Sequence, residues 1–457
     1  MTIKRLVLSC LFVLHSAFCG MQYEAVAQQP STTQKQLQLS AVAAKEYKAS
    51  LHLLPTEDEQ ESGNAVPVIL RMTYEQQSFM KDVYPRLDEF AAMDIHDPKL
   101  QELGFNRFAE QIIRAGSMSF ADWQYPLRSE NPYLIMLPDI QAQRRLVGRG
   151  MTAWIKQRLA AGDMDGALKG IKAQLGCGRH CAETPIVICH LVGLAIASTA
   201  FDNLELAMQS DQCPNMYWSL AALSPTLHEL GPMVRWELWA SPARLKEPIP
   251  SIGSEEWTSI ARKFADLMAD VSDQRYSQAE GESLQKNMDR LAKQELSKTI
   301  GFTESEIDRM STEERIMRWL DLHYHRFRSF VEPLAYQSPS QVIAAKKKIE
   351  TTSKELITAV GAKSSPFPDV LPQAILACRN FERRVKFLQT LESLRDYASK
   401  HDGGFPKKLD DLDLIAPNDP FTEKPFLYEV NGKKARLRQA EIDGNSTPVC
   451  DYELELK

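Results

Sequence analysis

Glycine is scarce in this chain, at 21 of 457 residues against 25 prolines, and a chain short of the residue that serves tight turns leans toward helix. An excess of positive charge is missing too. The 54 lysines and arginines against 60 aspartates and glutamates leave a net charge of −6, so the basic footprint of a nucleic-acid-binding protein is excluded. Beyond the first 27 residues no stretch reaches the 18 or so consecutive apolar residues of a membrane span. The longest, Ile186 to Phe201, is interrupted by His190, Ser198 and Thr199 and reads as a buried helix. Also lacking are a phosphate loop, a Gly-x-Gly-x-x-Gly turn, a His-Glu-x-x-His zinc signature and a Gly-x-Ser-x-Gly nucleophile elbow. What is present, 44% hydrophobic and 25% charged residues, is the balance of a globular chain able to bury a large core.

The first 27 residues have the order of a secretory signal: Lys4-Arg5, the apolar run Leu6 to Phe18, then Ala25-Val26-Ala27 before Gln28. Small residues at Ala25 and Ala27 suit signal peptidase, so cleavage is expected after Ala27. The alternatives are a lipoprotein lipidated at Cys19, where the bulky Phe18 is unfavourable, and an uncleaved anchor. Export places the mature chain in the periplasm or cell envelope, without a stable membrane span. Removal of Lys4, Arg5 and Glu24 takes the net charge from −6 to −7 and leaves six cysteines, at positions 177, 181, 189, 213, 378 and 450. An even count in an oxidising compartment permits disulfides, although this density is no disulfide scaffold.

Residues 28–40 read as a flexible linker, 41–240 as an N-terminal domain of helical hairpins, 254–400 as a second helical region and 401–457 as a small C-terminal α+β cap. In the first domain a helix is expected over 41–54, Asn64 is a helix N-cap, and a long helical segment follows from Tyr74 to Met93. Helix Gln141 to Ala160, the turn Gly162-Asp163 and a further helix to Leu175 form a tetratricopeptide-type hairpin. Thr184-Pro185 opens the next helix, and Asn215 caps a short one. Pro242, Pro248 and Pro250 mark residues 241–253 as a linker. Thr303 with Glu306 is a capping box. The helical period ends at Asp402-Gly403-Gly404, and Asn431-Gly432 between alternating segments is a strong β-hairpin signal. The expected fold is therefore mainly α: irregularly stacked, tetratricopeptide-like hairpins with a small C-terminal α+β element containing a β-hairpin.

Two stretches carry a resemblance. Gly162 to Leu223, above all Pro214-Asn215-Met216-Tyr217-Trp218-Ser219-Leu220-Ala221-Ala222-Leu223, and Leu391-Glu392-Ser393-Leu394-Arg395-Asp396-Tyr397 with Gly404-Phe405-Pro406, Leu409, Asp419-Pro420-Phe421, Lys424-Pro425-Phe426 and Tyr428, are similar to an uncharacterised group of exported helical proteins of planctomycete-type bacteria. The resemblance implies export and a helical body, and no activity. The second stretch also resembles the C-terminal module of type II secretion pseudopilins, some of which bind calcium. The apolar pilin helix is missing, so filament assembly is not implied. Asn418, Asp419, Glu423 and Asp443 offer oxygen ligands at a spacing that fits no standard loop, and Asp419 reads rather as a turn cap.

Candidate chemistry is thin. Cys177, His180 and Cys181, with Cys189 and His190 nearby, concentrate metal-ligating side chains. Their spacing matches no zinc knuckle, and buried cysteines behave as small hydrophobes. His323 and His325 diverge by about 200° on a helix and cannot share a ligand. His190, Ser198 and Asp202 sit too far apart on one helix to form a triad. Tyr217, Trp218, Arg235, Trp236 and Trp239, with Arg244 beside them, read either as helix core or as an aromatic-walled groove for a peptide or glycan. No cofactor is expected. The expected function is protein binding or scaffolding by a module of the cell envelope, its partner an exported or envelope protein. The alternatives are an envelope hydrolase with a non-motif active site and a metal-binding protein using the segment Cys177 to His190.

Overall fold

The computed structural model describes residues 33–45, 51–75, 81–129, 142–241, 243–271, 278–361, 370–443 and 449–457. The expected signal peptide lies outside them. In chain order the main elements are β1 (Thr33–Leu39), β2 (Glu61–Asn64), α1 (Val66–Glu75), α2 (Leu87–Ala92), α3 (Asn106–Ser117) and β3 (Met118–Phe120). A π-helical turn (Arg144–Gly150) then runs into α4 (Met151–Ala160), followed by α5 (Met164–Ala182), α6 (Val187–Met208), α7 (Tyr217–Ala221) and α8 (Leu230–Ala240). Next come α9 (Glu256–Val271), α10 (Gln278–Glu295), α11 (Glu304–Arg309), α12 (Thr312–Val331), α13 (Pro339–Val360) and α14 (Val370–Lys400). Strands β4 (Leu427–Asn431), β5 (Lys434–Arg438) and β6 (Cys450–Leu456) close the chain. The protein is mainly helical with a small sheet at its C-terminal end. It divides into a larger unit of Pro30–Leu127, Ile135–Met233 and Leu376–Lys457, and a smaller one holding Val234–Ile375 with Arg128–Leu134.

The larger unit is built around α5, and small residues explain how closely its neighbours approach. A β-carbon added at Gly116 on α3 would lie 2.7 Å from the Ala173 carbonyl oxygen, and one at Gly178 would lie 2.9 Å from the Gly193 carbonyl oxygen on α6. Both sites leave no room for any side chain, so α3 and α6 lie on α5 backbone to backbone. The expected Gly-Asp turn starts α5: Gly162 has φ 72°, and Asp163 Oδ1 accepts from the Gly166 amide at 2.9 Å. Helix α6 is long and apolar enough to cross a membrane by length and composition, but most of it is buried. Its start differs from expectation. Ile186, with no side-chain cap, precedes the first turn at Val187, in place of the Thr184-Pro185 signal.

The sheet shows the largest departure from the sequence reading. Residues 33–39, inside the expected flexible linker, are strand β1, which pairs in parallel with β6 from Thr33 opposite Cys450 to Leu39 opposite Leu456. The strand order is β1-β6-β5-β4, so residues 401–457 share one unit with the N-terminal segments instead of forming a separate cap. Leu37, Leu39, Ala435, Leu437, Tyr452 and Leu454 are buried on it, and Phe387 of α14 meets Phe426 and Tyr452 edge-on at 5.2 and 5.1 Å. The Asn-Gly hairpin forms as expected, with Gly432 at φ 63°. The helix expected over 41–54 is absent over 41–45. That segment continues from β1, held by the Val42 amide on the Arg395 carbonyl (3.2 Å) and the Ala44 amide on Asp396 Oδ1 (2.8 Å).

Arg395 is the staple of this region. It is fully buried and ion-paired with Glu392 at 2.9 Å. Its remaining donors reach the carbonyls of Ser40 (2.9 Å) and Cys213 (3.0 Å). Asn215, which caps α7 through the Tyr217 amide at 3.0 Å, donates to the carbonyls of Val42 and Glu392. The two stretches that carry the resemblance thus meet in space, and every polar group in the contact has a partner, as a buried ion pair requires.

The smaller unit packs Trp257, Phe264, Leu284, Met288, Leu296, Trp319 and Leu320 into its own core. Thr303 and Glu306 form the expected capping box. The proline-bearing stretch 241–253 is no free linker over its described residues. Leu245 is buried, and its amide donates to Asp321 at 2.8 Å. Gly253 N donates to Glu314 (2.8 Å) and Arg318 to the Pro250 carbonyl (3.1 Å). Glu314, Arg318 and Asp321 fall on one face of α12 at helical spacing, so one helix takes up the amides and carbonyls that a proline-rich strand cannot pair with itself.

Candidate functional site

Within the larger unit, β1, α2, the π-helical turn, α4 and α6 enclose a cleft of about 420 Å³. Its charged lining is Lys35, Arg149, Lys156, Asp202 and Glu205, with Thr152, Thr199 and Asn203 between them. A second hollow of about 410 Å³ is walled by Leu51, Leu53, Leu168 and Met216 with His52, Glu59, Asp165, Lys169 and Lys172, fewer polar residues than line the cleft.

The cleft's floor rests on the π-helical turn. Five-residue spacing leaves backbone carbonyls without their usual α-helical donor, and here side chains supply it. Gln174, fully buried on α5, donates to the carbonyls of Val147 (3.0 Å) and Gly148 (3.1 Å). Thr152 Oγ1 donates to the Gly148 carbonyl at 2.7 Å, and buried Asn203 donates to both Thr152 and Gln174. The floor is therefore locked by satisfied hydrogen bonds.

One end of the cleft is an ionic knot. Lys35 Nζ lies 2.7 Å from both Asp202 Oδ1 and Glu205 Oε2. Arg384 of α14 reaches the same two carboxylates, Asp202 at 3.2 Å and Glu205 in a closer contact. Tyr452 donates its hydroxyl to Glu205 Oε1 at 2.7 Å. Burial lowers the Lys35 pKa, but Glu205 and Asp202 more than offset it, so the ammonium is held above its ordinary value. Burial, with Glu205 beside it, pushes the Tyr452 phenol well up. Two cations face two carboxylates, and the knot is internally balanced.

The other end differs. Lys156 Nζ donates to the carbonyls of Ala91 (2.7 Å) and Met93 (2.6 Å), closing the C-terminus of α2. Burial lowers its pKa, with Asp94 pulling only partly the other way. Arg149 lies 3.3 Å from Asp88, which Arg145 also contacts at 3.1 Å. This end therefore holds three cations against the carboxylates of Asp88 and Asp94.

The hydroxyls of the cleft are committed to structure. Thr152 spends its proton on the Gly148 carbonyl and Thr199 on the Ile196 carbonyl at 2.6 Å. Asp202 and Glu205 are both ion-paired. The arrangement can hold a polar or charged group in a fixed frame, and neither hydroxyl is poised against a base for nucleophilic attack.

The residues singled out from the sequence fall elsewhere. Cys177, His180 and Cys181 are buried. His180 is engaged on both ring nitrogens, with Glu183 Oε1 and the Ala115 carbonyl, each at 3.1 Å, and the Cys177 thiol faces the Ile112 carbonyl at 3.6 Å. Burial pushes the Cys177 thiol up to about 12. No three His, Cys, Asp or Glu side chains are grouped to hold a metal ion among the described residues, and no disulfide links the six cysteines. Asp419 is held by Arg383 at 2.6 Å and also accepts from the Phe421 amide at 3.0 Å, so it caps its turn under a buried ion pair.

The five groove residues divide at the boundary of the units, which falls between Met233 and Val234. In the larger unit Tyr217 is buried, donating to the Ile415 carbonyl at 2.9 Å, and Trp218 stands edge-on to it with 43% exposure. In the smaller unit Trp236 is buried, Arg235 donates to the Tyr336 hydroxyl at 2.8 Å, and Trp239 has Arg128 at 4.5 Å and Lys246 at 5.9 Å from its ring. Sequence reasoning passed over Lys35, Lys156 and Arg384. The signal that could have found the Lys35 and Arg384 end was Glu205, three residues after Asp202 in a largely apolar helix, where a buried carboxylate requires a cation. Comparison with protein-family models, with curated proteins and with solved structures returned no match for this chain.

Proposed function

We propose that the chain is an exported binding module of the cell envelope, whose partner is another exported or envelope protein, and that the cleft between β1, α4 and α6 receives part of that partner. The observation that carries this reading is the pre-organised cleft. Its charges sit in fixed positions, its amides and hydroxyls are locked by hydrogen bonds, and such a frame binds without the cost of ordering itself. The secretory pattern of residues 1–27 supports placement outside the cytoplasm.

The test is site-specific photo-cross-linking in the native envelope fraction. A benzophenone side chain at Thr199, in the cleft, is expected to give one discrete protein adduct that excess unlabelled protein competes away. The same probe at Lys408, on the exposed loop, gives none. Equal adducts from both positions, or none from Thr199, would overturn the reading.

A further inference from the structure

The two ends of the cleft are not electrostatically equivalent. At one end Lys35 and Arg384 answer Asp202 and Glu205, charge for charge. At the other, Arg145 and Arg149 share the single carboxylate of Asp88. Lys156 has no carboxylate in ion-pair range among the described residues, and only the field of Asp94 acts on it. Its ammonium has three N–H donors, of which backbone carbonyls take two. Three cations, of which Arg149 and Lys156 line the cleft and Arg145 stands beside it, face two carboxylates and leave one positive charge in excess, and burial already works against the Lys156 ammonium. An incoming anion relieves that penalty.

We propose that the Arg149 and Lys156 end of the cleft is a carboxylate site, taking an acidic side chain or a C-terminal carboxylate of the bound protein partner. A single excess charge suits a monoanion, whereas a dianionic phosphate would overfill it. A volume of about 420 Å³ admits a short peptide segment carrying that group. The assignment rests on the binding reading of the same cleft and adds the chemistry of what it recognises.

The test uses the purified protein and competitive acetylation by trace acetic anhydride, which reads the accessibility and proton affinity of each lysine. The probes are acetyl-Ala-Asp-Ala-amide, acetyl-Ala-Ala-Ala with a free C-terminus, acetyl-Ala-Asn-Ala-amide and inorganic phosphate. One or both carboxylate peptides are expected to protect Lys156 saturably, leaving Lys346, paired with Glu350 in the smaller unit, unchanged. Which of the two protects identifies the source of the carboxylate. Lys156→Gln keeps two N–H donors for the Ala91 and Met93 carbonyls while removing the charge, so its melting midpoint is expected to hold. Its affinity for the protecting peptide, read by calorimetry, is expected to fall by about tenfold. Equal protection by the Asn peptide, stronger protection by phosphate, or unchanged affinity of Lys156→Gln would each overturn the assignment. If these fail while the Thr199 cross-link stands, only the carboxylate site falls; if both fail, the binding reading falls with it.

Discussion

Acidification from pH 7 to pH 5 is expected to weaken the larger unit through His190. This imidazole is 2% exposed near the start of α6, with the His228 ring centroid 6.0 Å away. Burial and then the neighbouring His228 hold its pKa down to about 4 from an ordinary 6.5, although backbone groups of Glu229, Ile186 and Thr184 pull the other way. His228 is itself held low by burial, with Glu183 and Glu229 opposing and Arg179 assisting. The sign follows directly. Below pH 6.5 the unfolded chain takes up a proton that folded His190 refuses, so stability falls with pH until the folded group also protonates near pH 4. A depression of 2.5 units corresponds to about 3 kcal/mol over the full window. Linkage between pH 7 and pH 5 gives about 2 kcal/mol of it. Equilibrium urea unfolding followed by circular dichroism, for the wild type and His190→Leu at both pH values, isolates the term. The stability difference between the two proteins is expected to move by about 2 kcal/mol in favour of the variant at pH 5. A movement below about 0.5 kcal/mol would show that His190 titrates normally and refute the reasoning.

Further outcomes follow from packing and buried charge. Arg395→Met leaves the Glu392 carboxylate, fully buried and already pushed up by that burial, without its cation; a loss of about 3–5 kcal/mol in urea unfolding is expected. Gly176→Ala drives a β-carbon into the Gly116 carbonyl and is expected to cost about 3 kcal/mol. Gly148→Ala, where the nearest atom is Thr199 Oγ1 at 3.8 Å, is expected to stay within about 0.5 kcal/mol of wild type; equal effects at the two glycines in thermal melts would refute the close-approach argument. Asp419→Asn removes the negative charge and one of the two acceptor oxygens facing buried Arg383 and is expected to lower the melting midpoint. Added calcium is expected to leave the wild-type midpoint unchanged, because Arg383 occupies both Asp419 oxygens.

Local signals were legible where one short segment contains its own reason for folding. Asn431-Gly432 supports a tight hairpin, Thr303 and Glu306 cap each other, and Gly162-Asp163 turns one helix into the next; each forms where it is expected. Strand β1 was illegible for the opposite reason. Its Leu37 and Leu39 alternate with glutamines in a polar sequence, and only the alternating β6 at the far end of the chain gives that pattern a partner. The proline-rich segment misled because prolines report what a backbone cannot donate, and say nothing of the carboxylates on α12 that receive its remaining amides.

The same distinction separates the motifs from the cleft. Asn215, Glu392 and Arg395, which fall in the two stretches resembling the exported helical group, are buried: Asn215 donates to the Glu392 and Val42 carbonyls, and Arg395 pairs with the Glu392 side chain and donates to the Cys213 and Ser40 carbonyls, so their identities are explained by holding α7, α14 and the segment after β1 together. Lys35, Arg149 and Lys156 stand outside those stretches and Asp202 inside the first, on elements scattered from position 35 to position 202. A chain sharing the two stretches would keep the staple together with Asp202 and Glu205, while its residues at the positions of Lys35, Arg149 and Lys156 could differ. Those stretches therefore supply the staple and not the cations of the cleft, and the ligand must be argued from the cleft itself.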